Sequence, residues 1–184
     1  MQIRKATIND AEGIAKVHVD SWRTTYKGII PDEFLYNLSY KKRTELWIEN
    51  IEREDNFVVI AENPEGEIIG FADSWKRETN IVANSSDLTS IYILKEYHGR
   101  GLGKELLKQL FLQFKFLGYQ KIFVEVLEDN NTRYFYEHYG AKLCKSIQII
   151  IGGKVLNELI YEWDNIDEVL AKFSRTEADS GDNH

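Results

Sequence analysis

Three glycines at alternate positions, Gly99, Gly101 and Gly103, stand between the β-branched and aromatic run of residues 88–94 and an amphipathic stretch that opens at Leu102. Glycine lets the backbone come close to a ligand, and a helix starting there offers unpaired N–H groups with partial positive charge. The arrangement suits a phosphate-bearing ligand. Leu102, Leu106, Leu107, Leu110, Phe111 and Phe114 recur at helical spacing, and Gly118 is placed to end the helix. Arg100 and Lys104 either add positive charge to the loop or are simply solvated. Two familiar phosphate motifs do not fit. A Walker A loop needs glycine at His98 and Ser or Thr at Glu105. A dinucleotide fingerprint needs its third glycine at Lys104 or Leu106, depending on where it begins. For the glycines alone, a tight strand-to-helix turn without a ligand is the competing reading.

Residues 122–141 carry a second group of reactive side chains. Glu125 interrupts the apolar run Ile122-Phe123-Val124-Glu125-Val126-Leu127. A carboxylate in a central strand must be paired, face a cavity or lose its hydration. Lost hydration raises a carboxyl pKa toward the range of a general base. A salt-bridged glutamate on an exposed face is the other reading. Tyr136 is a phenol, with an ordinary pKa of about 10, so at neutral pH it holds a proton it can donate. It also belongs to an aromatic stripe with Phe135 and Tyr139, where packing alone would explain it.

The loop His98-Gly99-Arg100-Gly101-Leu102-Gly103 resembles the pattern [Gln/Arg]-x-x-Gly-x-[Gly/Ala] of the GNAT acetyltransferase superfamily at every position but the first, where His98 stands. Residues 126–141 are similar to that family's second signature, V-L-x-x-N-x-x-R-x-F-Y-E-x-x-G-[FA]. Asn130, Arg133, Phe135, Tyr136, Glu137 and Gly140 fall on its positions, with Asn131 where proline is frequent. The flanks agree: Ile3 to Thr7 followed by Asp10-Ala11 is similar to the family's first strand and helix, and Gly153 to Trp163 to its closing strand. The resemblance covers residues 2–165.

That resemblance implies an α+β fold of α/β/α layers, with a mixed, mostly antiparallel sheet of six to seven strands and helices on both faces. It implies an N-acetyltransferase with acetyl-CoA as cosubstrate, in which an amine attacks the thioester directly. The backbone of Ile91, Tyr92 and Ile93 would pair with the pantetheine amides, and one N–H there would stabilise the oxyanion. Residues Gly99, Arg100, Gly101, Leu102, Gly103 and Lys104 would hold the pyrophosphate, with Asn130, Arg133 and Tyr136 completing the cofactor site. Tyr136 matches the acid toward the departing thiolate. Glu125 matches a base used by some members that acetylate protein N-termini, and Asp87 is a second carboxylate for that role. Trp22, Tyr26, Asp32 and Glu33 are candidates for the acceptor site by location, although Trp22 and Tyr26 equally suit the core. The acceptor expected is a small-molecule amine or polyamine. A protein N-terminus or lysine is the alternative. Tyr136 and Glu125 argue against a third reading, a non-catalytic CoA-binding module.

Hydrophobic patterning sets the elements that would hold these groups. Strands are expected over 3–6, 57–61, 68–75, 87–94, 121–127, 142–151 and 154–163, with 57–75 a hairpin turning at Asn63-Pro64-Glu65-Gly66. Helices are expected after Thr7-Ile8-Asn9-Asp10, over 33–38, 41–51, 101–117 and 131–139. Residues 76–86 read as a polar loop, residues 1–173 as one acetyltransferase domain, and residues 174–184 as a polar mobile tail.

Composition narrows the classes. Thirty acidic and 23 basic residues give a net charge of −7, with no long basic stripe, so nucleic acid is not an expected partner. An acidic field suits a cationic amine, or serves solubility alone. No run of 18 apolar residues would span a membrane and no signal peptide precedes the first strand, so a cytoplasmic location is expected. The single cysteine, Cys144, reads as a packed thiol. His18, His98, His138 and His184 lack metal-ligand spacing, so no metal is expected. A homodimer stays open.

Overall fold

In the computed structural model, which describes residues 1–179, seven strands of the described chain form one sheet. They are β1 (Gln2–Lys5), β2 (Phe57–Glu62), β3 (Ile68–Ser74), β4 (Ser85–Ile93), β5 (Lys121–Leu127), β6 (Lys142–Ile151) and β7 (Lys154–Trp163), in the spatial order β1-β2-β3-β4-β5-β7-β6. All neighbours are antiparallel except β4 and β5. Helices α1 (Ala11–Thr25), α2 (Asp32–Tyr36) and α3 (Tyr40–Glu52) precede β2. Helices α4 (Leu102–Phe116) and α5 (Thr132–His138) flank β5, and α6 (Ile166–Asp179) closes the described chain. This is the mixed, helix-covered sheet expected from the sequence, with the larger of the two strand counts.

Strand β2 shows why its residues are apolar at consecutive positions. Val58 and Ile60 pack with Ile14 and Val17 of α1 and Trp47 of α3, while Val59 and Ala61 pack with Leu106 and Leu110 of α4. Both faces are covered, so no polar alternation survives. Among the described residues no helix is long and apolar enough to cross a membrane.

Three expectations need correction. The sequence pattern assigns no element to residues 166–173, yet they begin α6. Asn165 Oδ1 accepts the Glu168 N–H at 3.1 Å, and Ile166, Val169 and Phe173 are buried on one face. The helix runs on to Asp179, into the segment expected to be a polar tail, and residues 180–184 of that segment lie outside the described residues. Cys144 is exposed rather than packed. Leu143 pairs with Tyr161 and Lys145 with Ile160, so Cys144 is the surplus residue of a bulge on the edge strand β6. Partial burial and Glu162 push its thiol up to about 11, away from nucleophilic thiolate. Finally, β4 begins at Ser85, inside the expected loop. Ser85 and Ser86 are buried, and the Ser85 hydroxyl donates to the Val82 carbonyl at 2.7 Å.

Candidate active site

The two parallel strands pair only where Ser85–Leu88 meets Lys121–Val124. Beyond that they part, and the other edge of β4 shows a cause. Asp73 pairs with Ser90 and Ser74 with Leu88, so Thr89 is a surplus residue that bends β4. The Thr89 hydroxyl fixes the bend by donating to the Asp73 carbonyl at 2.9 Å, and the Ser90 hydroxyl bonds the Asp73 carboxylate. Strand β5 meanwhile stays on β7 as far as the Leu127–Glu158 pair. A wedge opens between β4 and β5, filled by a cavity of about 610 Å³. Ile91, Tyr92 and Ile93 line it, with β5 no longer opposite their backbone. Unpaired backbone groups seek partners. A ligand carrying amides can supply them as an added strand does.

The glycine loop closes one end. Gly99 and Gly101 have φ of +74° and +77°, and a Cβ at either would meet nothing within 4 Å, so the loop faces open space. The first helical bond of α4 runs from the Glu105 N–H to the Gly101 carbonyl at 3.2 Å. The N–H groups of Leu102, Gly103 and Lys104 are thus left outside the helical ladder, and all three residues line the cavity. His98 donates through Nε2 to the Ile93 carbonyl at 2.8 Å, which ties the loop back to β4. Arg100 does not line the cavity: it donates to the Glu96 carbonyl at 3.2 Å and lies over the Tyr97 ring. Arg133 is also outside, over the Tyr134 ring and donating to its hydroxyl at 2.9 Å. Asn130 is buried and lines the cavity, its Oδ1 accepting the Thr132 N–H at 3.0 Å.

The two faces of the wedge carry different chemistry. Tyr136 of α5 reaches it from the side covered by α4, 5% exposed, its ring edge-on to Trp163. Burial raises its pKa above the ordinary value, with the nearby Tyr26 hydroxyl adding and Arg77 opposing, so the phenol keeps its proton. On the opposite face stand Glu125 and Glu158. Glu125 and Leu127 share a face of β5, and Leu127 pairs directly with Glu158, so the two carboxylates are diagonal neighbours. Arg77 Nε lies 3.7 Å from Glu125. Trp22 and Tyr26 form an aromatic wall beside them, with rings 4.8 Å apart and the Tyr26 hydroxyl 2.9 Å from that of Tyr92.

Several sequence expectations change at this point. Glu125 lines the cavity as expected of a candidate base; its side chain is 28% exposed and lies beside the Arg77 guanidinium. Asp87 does not line the cavity. It is 4% exposed and accepts the Arg77 N–H at 3.1 Å and the Asn80 Nδ2 at 2.9 Å, so its oxygens hold the 77–80 loop in place. Asp32 and Glu33 are exposed on α2, outside the cavity. Arg77 and Glu158 also line the cavity, and neither is among the sequence candidates. The signal for Glu158 was present: it stands between Leu156 and Ile160 on one face of β7 and breaks an apolar row. Among the described residues no cluster of His, Cys, Asp and Glu could hold a metal ion.

An opening with a free strand edge, a glycine loop at the start of a helix and a phenol across from two carboxylates is suited to one class of chemistry. It can move an acyl group from a long, phosphate-bearing carrier to a nucleophile that must shed a proton. A sequence model of the Acetyltransferase (GNAT) family matches residues 18–141, and the chain belongs to that family. It is an acetyl-CoA-dependent N-acetyltransferase. It is 32% identical to the uncharacterised N-acetyltransferase YuaI of Bacillus subtilis (strain 168), over 94% of this chain and 98% of that one. It is 28% identical to a spermidine N(1)-acetyltransferase of Thermoplasma acidophilum, over 78% and 89% of the two chains. The crystal structure of the PaiA N-acetyltransferase of Thermoplasma acidophilum in complex with coenzyme A superposes with a TM-score of 0.72 at 27% identity, covering 89% of this chain and 98% of that one.

Proposed function

We propose that this enzyme acetylates a small primary amine, polyamines included, by direct attack on the thioester held in the β4–β5 wedge. The observation that carries this reading is the division of the wedge: a protonated phenol on one face and a carboxylate pair on the other. In this reading the pantetheine arm lies along Ile91–Ile93 and the pyrophosphate against residues 99–104. The ammonium enters beside Trp22, Tyr26 and the two glutamates, where negative charge and aromatic faces both favour a cation. It loses a proton to the carboxylate pair, its nitrogen bonds to the carbonyl carbon, and the C–S bond breaks. Tyr136 then protonates the thiolate. The likeness to a spermidine acetyltransferase supports an amine of this kind.

Free-thiol release from acetyl-CoA, measured with putrescine, spermidine, tyramine and a peptide bearing an N-terminal alanine, tests the reading. Release with one or more of the small amines, at kcat/KM at least tenfold above the peptide, is expected. Preference for the peptide would overturn the acceptor class. Acetyl-CoA binding without release to any acceptor would favour a sensing module instead.

A further inference from the structure

We infer that Glu158, rather than Glu125, is the residue that takes the proton from the acceptor ammonium. This rests on the acetyl-transfer reading above. The two carboxylates face one cavity from neighbouring strands, and Arg77 lies against one of them, Glu125. That cation is already placed. Its backbone N–H bonds Asp87, its Nη1 lies 3.6 Å from Asp87 Oδ1, and its Nε faces Glu125 at 3.7 Å. Arg77 therefore sits as the counter-ion of Glu125, anchored from behind by a buried aspartate.

Glu158 has a different setting. Among the described residues it forms no ion pair with a cation. It is half-buried, and the groups that act on it are Glu125 from β5, Arg77 from the 77–80 loop and the Tyr26 hydroxyl beyond α1. Strand β6 presents the apolar Ile147 opposite it. Burial first, and then the charge of Glu125, raise its carboxyl pKa, with Arg77 opposing. A base must accept a proton in the working range and release it afterwards, and of the two carboxylates Glu158 is the one without a cation on it. Glu125 then has two effects: it attracts the ammonium and it makes its neighbour more basic.

The step balances simply. One ammonium proton passes to the Glu158 carboxylate, directly or through water. The freed lone pair forms the C–N bond, the thiolate leaves with the Tyr136 proton, and Glu158 and Tyr136 return to their starting states by exchange with solvent.

The test compares pH profiles of kcat and kcat/KM for wild type, Glu158→Gln, Glu158→Asp and Glu125→Gln, using spermidine or tyramine, whichever is acetylated faster. Glu158→Gln should lower kcat by about 10²-fold near pH 6.5. Its acidic limb should be replaced by a rise of about tenfold per pH unit that tracks the free amine. Glu158→Asp should recover part of the rate. Glu125→Gln should keep an acidic limb but move it to lower pH, because the neighbouring charge is gone. A limb that survives Glu158→Gln, or vanishes only in Glu125→Gln, overturns the assignment. So does a Glu158→Gln variant with higher KM and unchanged kcat, which would make Glu158 an anchor for the cation. A wild-type enzyme that transfers to no amine would end the acetyl-transfer reading itself; an active wild type with an unaltered Glu158→Gln profile would end only this inference.

Discussion

In the proposed mechanism Tyr136 serves as the acid because of where its ring is packed. Phe135 and Trp163 pack against it, and burial raises its pKa above that of an ordinary phenol. Tyr136→Phe preserves that packing and removes the one hydroxyl. Stopped-flow or steady-state thiol release should show kcat lower by about 10²-fold. Acetyl-CoA affinity by calorimetry should stay within about twofold, since the pyrophosphate loop and the β4 edge are untouched. An intact kcat would make Tyr136 a packing residue. Because the phenol does not ionise below its raised pKa, the wild-type profile should also show no loss of rate between pH 7 and 9 from this group. Residues of this kind were legible in the sequence, since Tyr136 and Glu125 sit inside short segments whose order is itself a signal. Arg77 is not, and Glu158 shows only as a break in an apolar row. Their meaning arises from register: only the Leu127–Glu158 pairing places the second carboxylate beside the first, and only the anchoring by Asp87 turns Arg77 toward them. Asp87 is a candidate base through the family resemblance alone, and its hydrogen-bond partners come from a loop with no periodic pattern.

At the scale of elements, α1 is fixed to the sheet by a buried histidine. Trp47 of α3 donates through Nε1 to His18 Nδ1 at 3.0 Å, and the His18 ring stacks on Tyr92 at 5.7 Å. A second proton on His18 would set two N–H groups against each other in a buried site. Burial, and then the charge of Arg43, lower its pKa from 6.5 to about 3. The folded-state value is the lower one, so the unfolded chain takes up the proton first. Stability contributed by this group is complete above pH 6.5 and is lost as pH falls toward 3. Urea melts between pH 6.5 and 5 should therefore show stability falling by up to about 1.4 kcal/mol per pH unit. His18→Gln, whatever its own cost, should be flatter over that window. Parallel wild-type and variant curves would mean that His18 protonates freely in the fold. The strands and the long helices around this contact were legible because their apolar periods are strong. Helix α6 carried the same kind of signal, with Asn165 as a cap and Ile166, Val169 and Phe173 at helical spacing, but the short stretch before the charged end of the chain obscured it. The bend at Thr89 was not legible at all, since a bulge is a mismatch between two strands and neither one alone records it.

The whole molecule places opposite chemistries at the two ends of one opening. The helix terminus and Lys104 lie at the glycine loop, and the paired glutamates lie across the sheet, within a chain of net charge −7. This polarity fits a cosubstrate with a polyanionic head entering from one side and a cation from the other. The opening falls at the one parallel pair among the described strands, where the surplus residue Thr89 bends β4 away from β5. The most direct test of this account is calorimetric titration of acetyl-CoA into wild type and Gly103→Glu. Gly103 lies in the first turn of α4 with an ordinary helical backbone, and the nearest atoms a Cβ there would meet are those of Phe135 and Ile93, at 3.4 Å and beyond. An acid at this position suits the helix dipole, so the variant should stay folded, with a melting temperature no lower than about 2 °C below wild type. Its carboxylate would occupy the place assigned to the pyrophosphate. The account predicts affinity at least tenfold weaker, a loss of about 1.4 kcal/mol or more. Equal affinity in the folded variant would contradict it.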